Sequence, residues 1–131
     1  MKSALMLCNI VILLLLISAI SAPVLAQTKG DAKAGKQKYD TAGCAGCHGA
    51  TGKGDGPAAA GLNPKPQDHT NGKYMNTLTD KYLFDIIKAG GASVKKSPFM
   101  PSWGAALKDE DIWNLVAYIR SLARPPYKPG K

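Results

Sequence analysis

The run Cys44-Ala45-Gly46-Cys47-His48 constrains this chain more than any other stretch. Two thiols three positions apart lie about one helical turn from each other, so both reach the same side of the backbone. The histidine that follows directly projects from that same turn. C-x-x-C-H is the attachment signature of a c-type haem: the thiols take the two vinyl groups on one edge of the porphyrin, and the imidazole reaches the iron. Three plainer readings compete. A zinc half-site calls for a second Cys/His pair at finger or ribbon spacing, and none follows. A thioredoxin-type redox pair calls for a βαβ pattern, and none surrounds it. A small structural disulfide leaves the adjacent histidine unexplained. One covalent haem c is therefore expected, on Cys44 and Cys47, with His48 on the iron.

A bulky group of this kind also answers a difficulty of composition. The chain has 131 residues, enough for one domain. Fourteen Gly and nine Pro make much of it loop, and so small a loop-rich chain buries too little apolar surface by itself. At 45% hydrophobic and 20% charged it matches neither a disordered nor a multi-span membrane composition. Three cysteines rule out a dense disulfide scaffold.

The first 26 residues read as a targeting segment. Lys2 is followed by no charge before Lys29, Ile10–Ile17 is entirely Ile, Val and Leu, and Val24-Leu25-Ala26 is a small-x-small exit. This is the pattern of a secretory signal peptide cut after Ala26. The competing reading is an uncleaved anchor, since Ala4–Ala22 is nearly long enough to span a bilayer. Cleavage removes Cys8 and leaves only the paired cysteines. Residues 27–124 then form the folded domain, exported to the periplasm, and 125–131 a Pro- and Lys-rich tail expected to fray.

Three helices are expected. The first runs from Asp31, a possible N-cap, to about Ala42. Gly35 inside it costs about 1 kcal/mol relative to Ala, which suggests a close contact, and Tyr39 shares its face. The second runs from about Asp80 to Ala89, with Thr79 as N-cap, Gly90-Gly91 as stop, and Leu83, Ile86 and Ile87 on one side. The third runs from about Asp109 to Ala123. Its apolar stripe is Ile112, Leu115, Val116, Ile119 and Leu122. Asp109-Glu110-Asp111 complement the dipole at its start, Arg120 and Arg124 at its end, and Pro125-Pro126 stop it. The long loop from Gly49 to Leu78 implies that something non-peptidic organises it.

Met100, Met75 and His69 are the candidates for a second axial ligand. Pro98 and Pro101 bracket Met100 and stiffen its loop, which suits a weak thioether ligand that gains from being pre-positioned. It is also far enough along the chain from His48 to pass around the ring. Met75 is expected to be ordinary packing, and His69, in a polar loop, to face solvent. Met100 is the choice, following the His/Met pattern of such proteins.

With these motifs in hand, the chain from about Asp31 to Leu122 resembles the class I monohaem c-type cytochromes. The shared features are the attachment run at 44–48, Met100-Pro101 in its Pro-rich loop, and Leu115-Val116-Ala117-Tyr118-Ile119 in the last helix. The resemblance implies an all-α fold wrapping one haem. The first and last helices would cross at Gly35 and Tyr39, against Leu115 and Tyr118. A proline carbonyl would orient the ligand histidine through its ring N–H, and Pro57 matches best. Trp103 and Phe99 would pack on the haem. Lys108 stands where the family usually has a capping Ser or Thr.

A six-coordinate iron has no open site for substrate, so no catalytic residue is assigned and the expected role is one-electron transfer in a respiratory or related chain. The alternatives are an anchored subunit of a larger redox complex or, less simply, a haem enzyme of peroxidase type. The formal charge of +8, with Lys53 and Lys95-Lys96 flanking the two haem-binding stretches, fits redox partners with acidic docking surfaces. The lysines do not cluster with stacking aromatics, so nucleic acid is not an expected partner. A membrane is one only if residues 1–26 are retained. Mass spectrometry of the exported protein is expected to show Gln27 as its first residue. Retention of residues 1–26 would establish the anchored form instead.

Overall fold

The computed structural model describes residues 30–128. The signal-peptide reading, with Cys8 and Gln27, lies outside them. Among the described residues there are five helices: α1 (Ala32–Thr41), α2 (Ala45–His48), α3 (Gly72–Met75), α4 (Asp80–Ala89) and α5 (Asp109–Leu122). Single 3₁₀ turns lie at Pro57–Gly61 and Gly91–Val94. Among the described residues there is no strand, only an isolated bridge between Asn71 and Arg124. No described helix is long and apolar enough to cross a membrane. The fold is all-α, and α1, α4 and α5 are the expected three helices.

Their ends follow from local chemistry. Asp31 caps α1, accepting from the Ala34 N–H at 2.7 Å, and Thr79 caps α4, accepting from Tyr82 N–H at 3.1 Å. Lys108 has no acceptor to offer the start of α5. Instead Asp111 reaches back and accepts from the Lys108 N–H at 3.3 Å, so half of a capping box replaces the missing Ser or Thr.

The core forms where α1 crosses α5. Gly35 is buried there, and a Cβ on it would fall within the van der Waals radius of the Asn114 carbonyl oxygen. Asn114 Oδ1 also accepts from the Asp31 N–H at 2.7 Å, pinning the start of α1 to α5. Tyr39 packs edge-on to Tyr118 with ring centroids 5.1 Å apart. Ile112, Leu115 and Val116 of the α5 stripe are fully buried.

Arg120 lies in the last turn of α5, as expected, but does more than complement its dipole: it is 4% exposed. Its Nε donates to Asp80 Oδ1 at 2.7 Å, and Nη1 and Nη2 donate to the Met75 and Leu78 carbonyls at 2.6 Å each. The guanidinium thus caps the α3 end and holds the corner into α4. The Tyr127 ring covers it at 3.8 Å. After α5, the Arg124 N–H donates to Thr70 O at 2.9 Å and Asn76 Nδ2 to Pro125 O at 3.1 Å, so the tail starts in fixed contacts.

Gly35→Ala tests the crossing. The alanine gains about 1 kcal/mol of helix propensity but must push a backbone carbonyl aside, at a cost of about 1–3 kcal/mol or more. Thermal unfolding is expected to show a lowered midpoint, by about 4–8 °C for each net kcal/mol lost.

Candidate functional site

The attachment run sits directly after α1 and is held by it. The Cys44 N–H donates to the Tyr39 carbonyl at 3.1 Å and the His48 N–H to the Cys44 carbonyl at 3.0 Å, winding residues 44–48 into a single turn. Gly49, with φ +80°, ends that turn in a conformation that favours glycine. The buried Tyr39 hydroxyl donates to the Gly49 carbonyl at 2.8 Å. Burial pushes the Tyr39 phenol up, so it stays protonated as a donor. The loop after the run folds back on it, with the Gly54 N–H donating to His48 O at 2.8 Å and the Gly56 N–H to Cys47 O at 3.1 Å.

His48 Nδ1 lies 3.0 Å from the Gln67 carbonyl. A carbonyl only accepts, so Nδ1 carries the proton and Nε2 keeps its lone pair free for a metal. Burial lowers the His48 pKa, with the Gln67 bond opposing, which favours the neutral ring a metal needs. The orienting carbonyl is therefore that of Gln67, not Pro57. Pro57 is exposed and opens a 3₁₀ turn behind α2, where Gly56 packs against the Gly46 carbonyl. The loop needs another ten residues before it returns beneath the histidine.

His69 does not face solvent. It is 7% exposed, and its ring stacks on His48 at 4.4 Å with an interplanar angle of 20°. Burial, with His48 second, lowers its imidazole pKa to about 3. Burial also pushes the Cys44 thiol up to about 11. A thiolate ligand or a redox dithiol calls for the opposite shift.

Cys44, Cys47 and His48 line a cavity of about 550 Å³. Its remaining walls are mostly apolar: Met75 of α3, Leu83, Ile86 and Ile87 of α4, Leu115 and Ile119 of α5, and Leu62, Pro64 and Pro66 of the long loop. A flat carbon-rich macrocycle bonded to Cys44 and Cys47 fits such walls, and Lys65, Gln67 and Lys96 add polar groups to the lining.

Met100 and Trp103 line the same cavity from the loop after α4. The Trp103 N–H donates to Ile87 O at 3.1 Å, and the Gly104 N–H and Ser102 hydroxyl both donate to Lys88 O, at 2.9 and 2.7 Å. The Gly91 N–H donates to Met100 O at 3.0 Å. Gly90-Gly91 is thus more than a helix stop: it is the surface on which the Met100 loop rests, and a Cβ on Gly91 would overlap the Ser97 carbonyl. Met75, which also lines the cavity, is 1% exposed and packed in the core. Trp103 is half-buried, whereas Phe99, which also lines the cavity, is 62% exposed. Trp113 stacks on Phe84 at 4.5 Å, in the core. Lys53 and Lys95 are exposed.

Gln67, His69 and Arg120 were not assigned these roles from sequence. Arg120 carried a signal, since it follows Val116 by four residues and so continues the buried stripe.

The family model described as Cytochrome c matches residues 32–123. Cytochrome c-554(547) of Halothiobacillus neapolitanus is 38% identical over 97 residues, an alignment covering 71% of this chain and 98% of that protein. Among solved structures, a chain of the reducing HAO-like protein complex of Kuenenia stuttgartiensis superposes with a TM-score of 0.59 at 24% identity, covering 79% of this chain. This chain spans half the length of that one, and the likeness is one of fold.

Gly91→Ala tests the seat of the Met100 loop. The added methyl costs about 1–3 kcal/mol of overpacking. It is expected to displace the loop and lower the thermal unfolding midpoint by several degrees. Haem staining on a denaturing gel is expected to stay unchanged.

Proposed function

The chain belongs to the cytochrome c family, and from that premise we propose that it is an exported one-electron carrier whose haem iron is held between His48 and Met100. Membership in the family brings a covalently bound haem c, for which Cys44 and Cys47 have the attachment spacing. When bound, this group supplies reversible one-electron chemistry at the iron.

The residues around it determine how that chemistry is used. Cys44 and Cys47 would hold the group covalently, so that it would stay in place even when the pocket opens. His48 offers Nε2 because the Gln67 carbonyl holds its Nδ1 proton at 3.0 Å. Met100 offers a thioether from a loop fastened to the end of α4. Two protein ligands leave no position for a substrate, which favours a carrier over an enzyme. The apolar walls keep water from the iron and, with the thioether, favour the reduced state and raise the potential. Lys65, Lys96 and Phe99 are all exposed and also line the cavity. An apolar edge flanked by cations suits brief docking to a redox protein with an acidic surface.

The observation that carries this reading is that a single apolar cavity is lined by both the attachment turn and Met100. Met100→Ala tests it. The variant is expected to keep its covalent haem, lose the thioether charge-transfer band, bind added imidazole readily, and show a lower reduction potential by redox titration. An unaltered oxidised spectrum in Met100→Ala, together with its loss in Met75→Ala, would transfer the role to Met75.

A further inference from the structure

We propose that His69 is a positioning residue for His48: its imidazole lies flat against the His48 ring and sets the plane in which that ring meets the iron. This rests on reading His48 as an axial ligand.

One hydrogen bond does not fix a ligand ring. The contact from His48 Nδ1 to the Gln67 carbonyl holds one point of the imidazole, and the ring can still rock about that contact. A flat neighbour on its face removes this freedom. His69 provides it, with ring centroids 4.4 Å apart and planes within 20°. An aliphatic side chain would fill the same space without presenting a plane.

His69 is itself held firmly. Asp68 Oδ1 accepts from both the N–H and the hydroxyl of Thr70, at 2.8 and 2.6 Å, closing a turn around residue 69. The His69 N–H donates to the Gly52 carbonyl at 2.7 Å. Tyr39, which already fixes the attachment turn, stands edge-on to the His69 ring with centroids 6.4 Å apart at 71°. His69 Nδ1 is buried and meets no hydrogen-bonding partner among the described residues. Packing, rather than a bond from that nitrogen, therefore sets the ring's place, and what it presents to His48 is a face.

The plane of an axial imidazole has a direct physical readout. In low-spin ferric haem it sets the rhombic splitting at the iron and the distribution of unpaired spin over the ring methyls. The test is electron paramagnetic resonance and proton NMR of the oxidised holoprotein, in wild type, His69→Phe, His69→Leu and His69→Met. Both aliphatic variants are measured so that one that folds suffices, and haem staining checks loading. His69→Phe is expected to keep a haem-methyl shift pattern close to wild type. His69→Leu and His69→Met are expected to show a rearranged pattern and broadened resonance lines, even where thermal stability is retained. Unchanged methyl shifts in a folded aliphatic variant would make His69 a space-filler and overturn the inference alone. Absence of iron-bound histidine signals in wild type would overturn the ligand reading, and the inference with it.

Discussion

A cavity of about 550 Å³ lies between α4, α5 and the long loop, and its walls are apolar enough that water is a poor occupant. The rest of the structure depends on that cavity being filled. Among the described residues only three helices exceed one turn, and the stretch from Gly49 to Leu78 is held by scattered hydrogen bonds, to His48, Cys47, Arg120 and Arg124, rather than by a sheet or a helix pair. Leu62, Pro64 and Pro66 from that loop face the cavity rather than another layer of protein. A covalent haem in that cavity would thus be a structural element as well as a redox centre: it would be the surface that these apolar lining side chains meet.

Tyr39 joins the protein's own core to that cofactor. Its ring packs on Tyr118 where α1 crosses α5, its carbonyl receives the Cys44 N–H, and its hydroxyl reaches Gly49 just after His48. The closeness of the crossing, permitted by Gly35, brings this tyrosine into range. On the other side the Met100 loop is fastened to the last turn of α4 through the Lys88 carbonyl and Gly91. The two proposed ligands are therefore referred to two different helices, α1 and α4, and both helices pack on α5.

What was legible in the sequence was what local chemistry determines. The caps at Asp31 and Thr79, the stripe of α5, the contact role of Gly35 and the C-x-x-C-H spacing each depend on residues within a turn or two. Missed features depend on the path of the chain. Which carbonyl reaches His48 is decided by where the loop returns, and backbone carbonyls carry no sequence signature, so Gln67 could not be picked out over Pro57. His69 sits among polar neighbours, yet the turn closed by Asp68 on Thr70 turns the histidine inward. The one-turn α3 lay inside a stretch read as loop because four residues are too few to show a period.

Arg120 has a consequence for how the molecule assembles. Its hydrogen-bonding partners lie 40 to 45 positions away in sequence, at Met75, Leu78 and Asp80. A guanidinium cannot be withdrawn from water until those acceptors arrive. The final turn of α5 therefore cannot complete its packing independently: it closes only in the same step that brings the α3–α4 corner into place. The charge acts as a checkpoint, making one wall of the cofactor pocket and the C-terminal end of the fold a single cooperative unit, formed together or not at all.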